Sequence, residues 1–368
     1  MSGASDRSNK PSVDYDLTCW YLNARRVLEL VGNNAVAPYI RSIDGIAQVD
    51  NNLRKNWIIS GLKSALTDWL HNVKPPTLGQ LLIGERLQTN VLFTHYTNYF
   101  FRGLSEVHKA IENGRSPIPS AEAYAKLEEF STDKRVRFRF HHEHLTSNSS
   151  WAELRGQKRL LILGMATEIT DQSIDCIPWV IANPMPHLFD PHTVIGAGWM
   201  NRLETFVDML DCFSALSDYR PRFNRTDLNR LKDVREAEIK RTFAELINEP
   251  TVPKDWGGEQ SDLFTTQTRV RGERLSAAFA FKGPAKFHPM TMADLGKNGD
   301  QINRLFAEPA DLLVLQHCHE ITPPVRGAMR AFAQQMGQPR LFCLIDGYET
   351  MRILEFFGKC GFSKRNKF

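Results

Sequence analysis

The sequence predicts a two-domain α/β protein: a mostly helical N-terminal domain carrying a small sheet, followed by an α/β domain. Three observations carry this expectation. The chain has 368 residues, more than the roughly 100–200 of a typical single domain. Through most of residues 17–130 apolar side chains recur at three- and four-residue spacing, the mark of amphipathic helices. Beyond about residue 226, helix-like and strand-like segments alternate in a regular order.

Taken in order, MSGASDRSNKPSVDYD is polar and reads as a disordered lead-in over residues 1–16. The segments LTCWYLNARRVLELV, NNLRKNWIISGLKSALTDWL and the long stretch Thr77 to Asn113 read as helices, broken at Lys74-Pro75-Pro76 and Ser116-Pro117-Ile118-Pro119. KRVRFRFHHEH alternates basic and apolar residues, and RLLILGMATEI and CIPWVIANP are short apolar runs, so a small sheet is expected among the helices. NRLETFVDMLDCFSAL (201–216) returns to a helical pattern. The polar joint SDYRPRFNRTD then places the domain boundary at about 218–226, giving domains over 17–218 and 226–368. The second domain reads as helix 228–248 with Thr226 or Asp227 as cap, strands 261–270 and 275–282, helix 299–307, strand 311–317, helix 322–336, strand 340–346 and a short last helix from Glu349.

Composition bounds the function classes. With 42% hydrophobic and 24% charged residues, and no apolar run near the roughly 18–20 residues a membrane helix needs, a cytoplasmic protein without membrane contact is expected. The six cysteines show no CxxC spacing, which argues against a zinc ribbon or a disulfide framework. The net charge is +4, and the positive excess lies from Arg220 onward, so a polyanion would meet the C-terminal part first.

The stretch QSDLFTTQTRVRGERLSAAFAFKG (260–283) holds the chemistry. A hairpin centred on Gly272 sets Asp262 directly opposite Lys282. Alternation puts Ser276, Ala278, Ala280 and Lys282 on one face, leaving room beside the Lys, and Ala277, Phe279 and Phe281 on the other. A carboxylate and a Lys at such an edge can hold a divalent metal and polarise a phosphate, with Glu259 as a further oxygen donor. GKNGDQ (296–301) reads as a turn whose helix-start amides suit phosphate. Lys297, Asn298, Gln301 and Arg304 around it are candidate nucleic-acid contacts, as are Arg135, Arg137 and Arg139, which share one strand face. HHEH (141–144) reads as polar surface ahead of metal ligation, and His317 or His319 in QHCHE as possible accessories.

The element order and these residues resemble the PD-(D/E)xK nuclease superfamily, with its restriction-endonuclease-like αβββαβ core, over roughly residues 228–350. On that resemblance Asp262 fits the first acid and Lys282 the Lys, while the acid-x-Lys position reads Ala280-Phe281-Lys282 and lacks its carboxylate. A second register resembles the Mrr-type branch, with Asp300 as the acid, Gln316 of LLVLQHC as the Gln and Cys318 in place of the Lys. The resemblance implies a Mg²⁺- or Mn²⁺-dependent nuclease acting on nucleic acid, DNA ahead of RNA, in antiviral defence or repair. Asp262, Glu259 and Asp300 are the implied metal ligands, Asp262, Lys282, Glu259 and Gln316 the implied catalytic set, and Glu273, Glu238 and Glu245 other possible replacements for the missing acid. The alternative is a catalytically degenerate nuclease fold kept for binding nucleic acid or for assembly. The N-terminal domain would serve recognition, a protein partner or homo-oligomerisation.

Overall fold

The structure, a computed structural model, describes residues 15–40, 51–130, 132–186, 199–252 and 260–364. The N-terminal part runs β1 (Tyr15–Leu22), α1 (Ala24–Val31), α2 (Asn33–Ile40), α3 (Asn51–Val73), α4 (Leu78–Ile83), β2 (Leu92–Arg102), α5 (Leu104–Glu112), β3 (Ala121–Lys126), β4 (Arg135–Phe140), α6 (Ser150–Glu153), β5 (Gly156–Ile169) and β6 (Ser173–Pro186). β2 pairs with β3 and β5, β3 with β4, β4 with β6, and β6 with β5, so five strands close on themselves. All these pairs are antiparallel except β4 with β6. Closure removes the exposed edges that an open sheet would have to protect. The long β6 shares one of its edges. β4 takes Ser173–Cys176, and β1 lies antiparallel along Val180–Pro186.

The barrel interior is aromatic, with Phe93, Tyr99, Phe101, Phe138 and Phe140 buried together. An N-terminal half that is mostly helical is therefore not what forms. Residues 17–22 belong to a strand, and so do residues 92–102, inside the stretch expected to be helical from Thr77 to Asn113. The reason is that β2 is buried on both faces along its first half: Phe93 faces the barrel interior while Tyr96 lies in the core shared with the C-terminal part. Two apolar faces erase the alternation that marks a half-exposed strand, although the aromatic and β-branched content of LFTHYTNYFF favours one.

The C-terminal part runs β7 (Glu204–Thr205), α7 (Glu236–Leu246), β8 (Leu263–Val270), β9 (Glu273–Lys282), α8 (Asp300–Ala307), β10 (Leu312–His317), α9 (Pro323–Ala333), β11 (Leu341–Ile345) and α10 (Gly347–Phe357). Its sheet has the order β7-β11-β10-β9-β8, with β8 and β9 an antiparallel hairpin and every other pair parallel. Helices α8 and α9 cover one face, and α7 and α10 the other. The elements fall close to their expected positions, but α8 stands between β9 and β10, so β10 joins through a parallel crossover and the αβββαβ order does not describe the sheet.

Two boundaries also move. Residues 201–216 form β7 and short 3₁₀ turns instead of a helix. Val207, Leu210, Phe213 and Leu216 pack into the core beneath α7 and α10, ahead of the expected joint at 218–226. The helix expected over 228–248 splits into a 3₁₀ segment at Arg225–Leu231 and α7, because Asn224 and Asp227 cap the first segment reciprocally.

The two parts share a core. Tyr96, Leu161 and Leu163 on the barrel's outer face pack with Leu66 and Leu70 of α3 and with Leu305, Val325 and Met329 of α8 and α9. Along this seam, α9 approaches α4 so closely that a Cβ on Gly79 would lie 2.4 Å from the Ala331 Cβ. A small cleft remains there, lined by Thr77, His95, Tyr96, Glu129, Arg330 and Gln334.

Candidate active site

The β8–β9 hairpin turns through Arg271 and Gly272, with φ of 51° and 85°, the two left-handed residues that a tight hairpin turn requires. A bulge between Thr265 and Thr268 then shifts the register, so that Leu263 pairs with Phe279. Asp262 consequently lies level with Ala280 and not directly opposite Lys282. Its backbone N–H donates to the Phe279 carbonyl (2.9 Å), and its Oδ2 accepts from the Phe281 amide (2.6 Å). The acid thus stands beside the position where the acid-x-Lys pattern lacks one.

The next amide of the same edge is also held by a carboxylate. Gly283 N–H donates to Glu236 Oε2 at 2.5 Å, and Glu236 sits in the first turn of α7. Phe281 and Gly283 are two residues apart, so their amides point to the same side of β9. Asp262 and Glu236 therefore each hold one of the two backbone amides that flank Lys282 at the end of that strand, while the Lys282 side chain follows Ala278 and Ala280 onto the face of α8 and α9, opposite α7. A Cβ on Gly283 would come within 2.6 Å of the Glu236 side chain, so this approach is available only to glycine.

Lys282 continues the face of Ala278 and Ala280, which lie in the core under α8 and α9. The room expected beside these small residues is thus filled by helix packing, and Lys282 itself, half-buried, marks where that packing ends. His317 pairs with Lys282 across the parallel ladder and lies on the same face. Its Nδ1 is 3.3 Å from the Lys282 carbonyl and its Nε2 is 2.9 Å from the His288 carbonyl. Burial pulls the His317 pKa below the usual range, while these two carbonyls work in the opposite direction. Nearby, Asp294 is held below the ordinary carboxylate value. Burial opposes this, but the Thr291 amide and hydroxyl, His288 and Lys286 outweigh it.

Gln316 is not part of this edge. It follows Leu312 and Val314 onto the opposite face, is fully buried, and donates from Nε2 to Thr350 Oγ1 of α10 at 3.0 Å. The expected convergence of Asp262, Lys282 and Gln316 fails for a simple reason: a one-residue step along a strand changes face. Cys318, the residue standing for the Lys in the second register, is a buried thiol pushed up to about 12 by burial. It is a core side chain rather than a nucleophile.

The remaining expected residues fall elsewhere or outside the described residues. Glu259 lies outside them. Asp300 heads α8 and forms an i,i+4 ion pair with Arg304 at 2.9 Å, which also occupies one candidate phosphate contact. Lys297 and Asn298 are exposed in the turn before α8, and Gln301 is half-buried. Glu273 begins β9, at the far end from Lys282, Glu238 is exposed, and Glu245 pairs with Lys359 on the surface. In HHEH, His144 contacts Asn23 and His142 lies beside Trp151. Among the described residues no group of three or more His, Cys, Asp or Glu is gathered as for a metal ion.

Glu236 is the site residue that sequence reasoning missed. Treating 228–248 as one helix made Glu238 and Glu245 the acids of interest. The Asn224–Asp227 capping box, legible as N-x-x-D, signals a separate first segment and would have moved attention to the start of α7.

No protein family, no curated protein and no solved structure matches this chain.

Proposed function

We propose that this chain is a metal-dependent nuclease whose site is the end of β9. The observation that supports this reading is the pair of carboxylates, Asp262 and Glu236, held on the two backbone amides flanking Lys282 at the carboxyl end of β9, the end at which α/β sheets present their ligands. The donor set fits Mg²⁺ or Mn²⁺. Both groups are hard oxygen donors, the neighbouring thiol is protonated, and Mg²⁺ commonly takes one or two carboxylates and completes its shell with water and phosphate. Bound there, the ion would polarise a phosphodiester and lower the pKa of an attacking water. Asp262 and Glu236 would hold it, and Lys282 would stabilise charge developing on the phosphate oxygens. DNA is the first substrate to try, and antiviral defence or repair the expected setting.

The test is cleavage of plasmid, linear and single-stranded DNA, and of RNA, with Mg²⁺ or Mn²⁺. Asp262→Asn, Glu236→Gln and Lys282→Ala should each lower cleavage by about a hundredfold or more. Activity that survives both Asp262→Asn and Glu236→Gln would sink the assignment.

A second reading has its own support. Both carboxylates already satisfy backbone amides, a structural use that a fold keeps after chemistry is lost. Under that reading the chain is a nucleic-acid-binding or assembly subunit, and no metal elicits cutting.

A further inference from the structure

The outer face of β2, β3 and β4 away from the seam carries aromatic and cationic side chains in one patch. Phe100 is 41% exposed and stacks on Tyr124 of β3, with ring centroids 5.5 Å apart and planes 21° from parallel. The Arg102 guanidinium lies 4.6 Å from the Tyr124 ring centroid. In the next strand, Tyr124 pairs with Arg137, with Arg135 and Arg139 two residues to either side, both exposed. Asp175 takes two nitrogens of Arg137, at 2.6 and 2.8 Å. Arg137 is therefore a strut; Arg135 and Arg139 are the exposed cations of this strand, with Arg139 3.9 Å from the same Asp175 carboxylate at its more distant edge.

An exposed Phe beside a stacked Tyr is an unusual use of a solvated sheet face. An ordinary outer face would carry short polar or charged groups here. Flat rings interleaved with guanidinium groups match a different ligand, a chain with an aromatic plane and a phosphate at every unit. In a duplex the base planes are hidden in the stack, so rings of this kind engage only unpaired strands.

We propose that the barrel face around Phe100 and Tyr124 binds single-stranded nucleic acid, a base stacking on Phe100 and the backbone running along Arg135 and Arg139. This surface is separate from the β9 edge, and its occupation requires neither metal nor cleavage.

Fluorescence anisotropy of the full chain in EDTA tests it, with labelled oligodeoxythymidylate and oligouridylate of about 16 nucleotides, the upper site size for a small barrel, and a duplex of the same length. The expected result is tighter binding of a single strand than of the duplex, with an affinity that falls as salt rises. The DNA and RNA arms decide which sugar is preferred. Phe100→Ala and Tyr124→Ala should each weaken binding about fivefold or more, and Phe100→Trp should retain it. Arg139→Ala, at an exposed position that leaves the barrel core untouched, should lower the salt slope by about 0.7. Because the measurement is made in EDTA, where metal-dependent cleavage is silent, its outcome is separate from the fate of the nuclease reading. Equal affinity for duplex and single strand, wild-type binding by Phe100→Ala and Tyr124→Ala, or no binding to any of the three probes would overturn it.

Discussion

Gly337 follows α9 with φ of 87°, and a Cβ there would lie 2.3 Å from the Leu70 carbonyl oxygen in the last turn of α3. Backbone cannot retreat as a flexible side chain can. Gly337→Ala should therefore cost about 2–4 kcal/mol in urea unfolding, adding left-handed strain to overpacking. Gln316 makes a contrasting case. Its Oε1 has no hydrogen-bond partner among the described residues, and its Nε2 donates to Thr350 Oγ1 inside the core. Gln316→Leu should change stability by less than about 1.5 kcal/mol, since it removes an unsatisfied acceptor as well as a donor, and should leave metal-dependent cleavage intact. Loss of cleavage in a folded Gln316→Leu protein would return this residue to the site. At this scale the hairpin was legible, but its register was not: Asp262 lies level with Ala280, two residues short of Lys282, and faces between strands could not be assigned. The bulge at Thr265–Thr268 is set by packing and leaves no mark in TTQT, whereas α8 was legible from GKNGDQ onward.

Helix α10 is fixed at its end by chemistry that a periodicity argument does not see. Glu355 is fully buried, accepts from the Tyr219 hydroxyl at 3.0 Å and pairs with Arg230 of the 3₁₀ segment before α7. Arg230 is partly exposed and can turn to water, but the buried Tyr219 hydroxyl loses its acceptor, so Glu355→Ala should destabilise by about 1–3 kcal/mol, measurable as a lowered unfolding midpoint. Elements of the C-terminal part were legible because each shows one clean period between punctuation: Pro323-Pro324 at the start of α9 and Asp346 capping α10. The barrel strands were not. In β2 both faces are apolar, and in β1 the run Cys19–Leu22 passes into α1 with only Asn23, the helix cap, between them. Short apolar runs of this kind are compatible with either helix or strand until their neighbours are known.

Because one core unites the barrel with α8 and α9, the molecule should unfold as a unit, and a fragment carrying only residues after 199 would expose the apolar faces of those helices. His95, buried beside the seam cleft, gives that unit a pH dependence. Its Nδ1 meets the Tyr99 hydroxyl at 2.8 Å, and burial lowers its pKa to about 3. The unfolded chain titrates this His near 6.5, so between about 6.5 and 3 the unfolded state binds one proton more than the folded state. Stability from this group is complete above that window and is lost as the pH falls through it, on the order of a few kcal/mol in total. Unfolding free energies measured across the window should converge between wild type and His95→Gln at the acid end if the His is responsible; parallel curves would exclude it.

The divided edge of β6 has a consequence for solution behaviour. Among the described residues β1 alone pairs with this edge over Val180–Pro186, and β1 reaches α1 through the single residue Asn23. A chain lacking residues 1–22 would present that row of amides and carbonyls to solvent, next to the apolar surface that Tyr15, Leu17 and Cys19 normally cover. Such a row is a template for a strand from another molecule. The truncated protein should therefore self-associate beyond the state of the intact chain as concentration rises in light scattering, and a peptide spanning Tyr15–Leu22 added in trans should suppress that association.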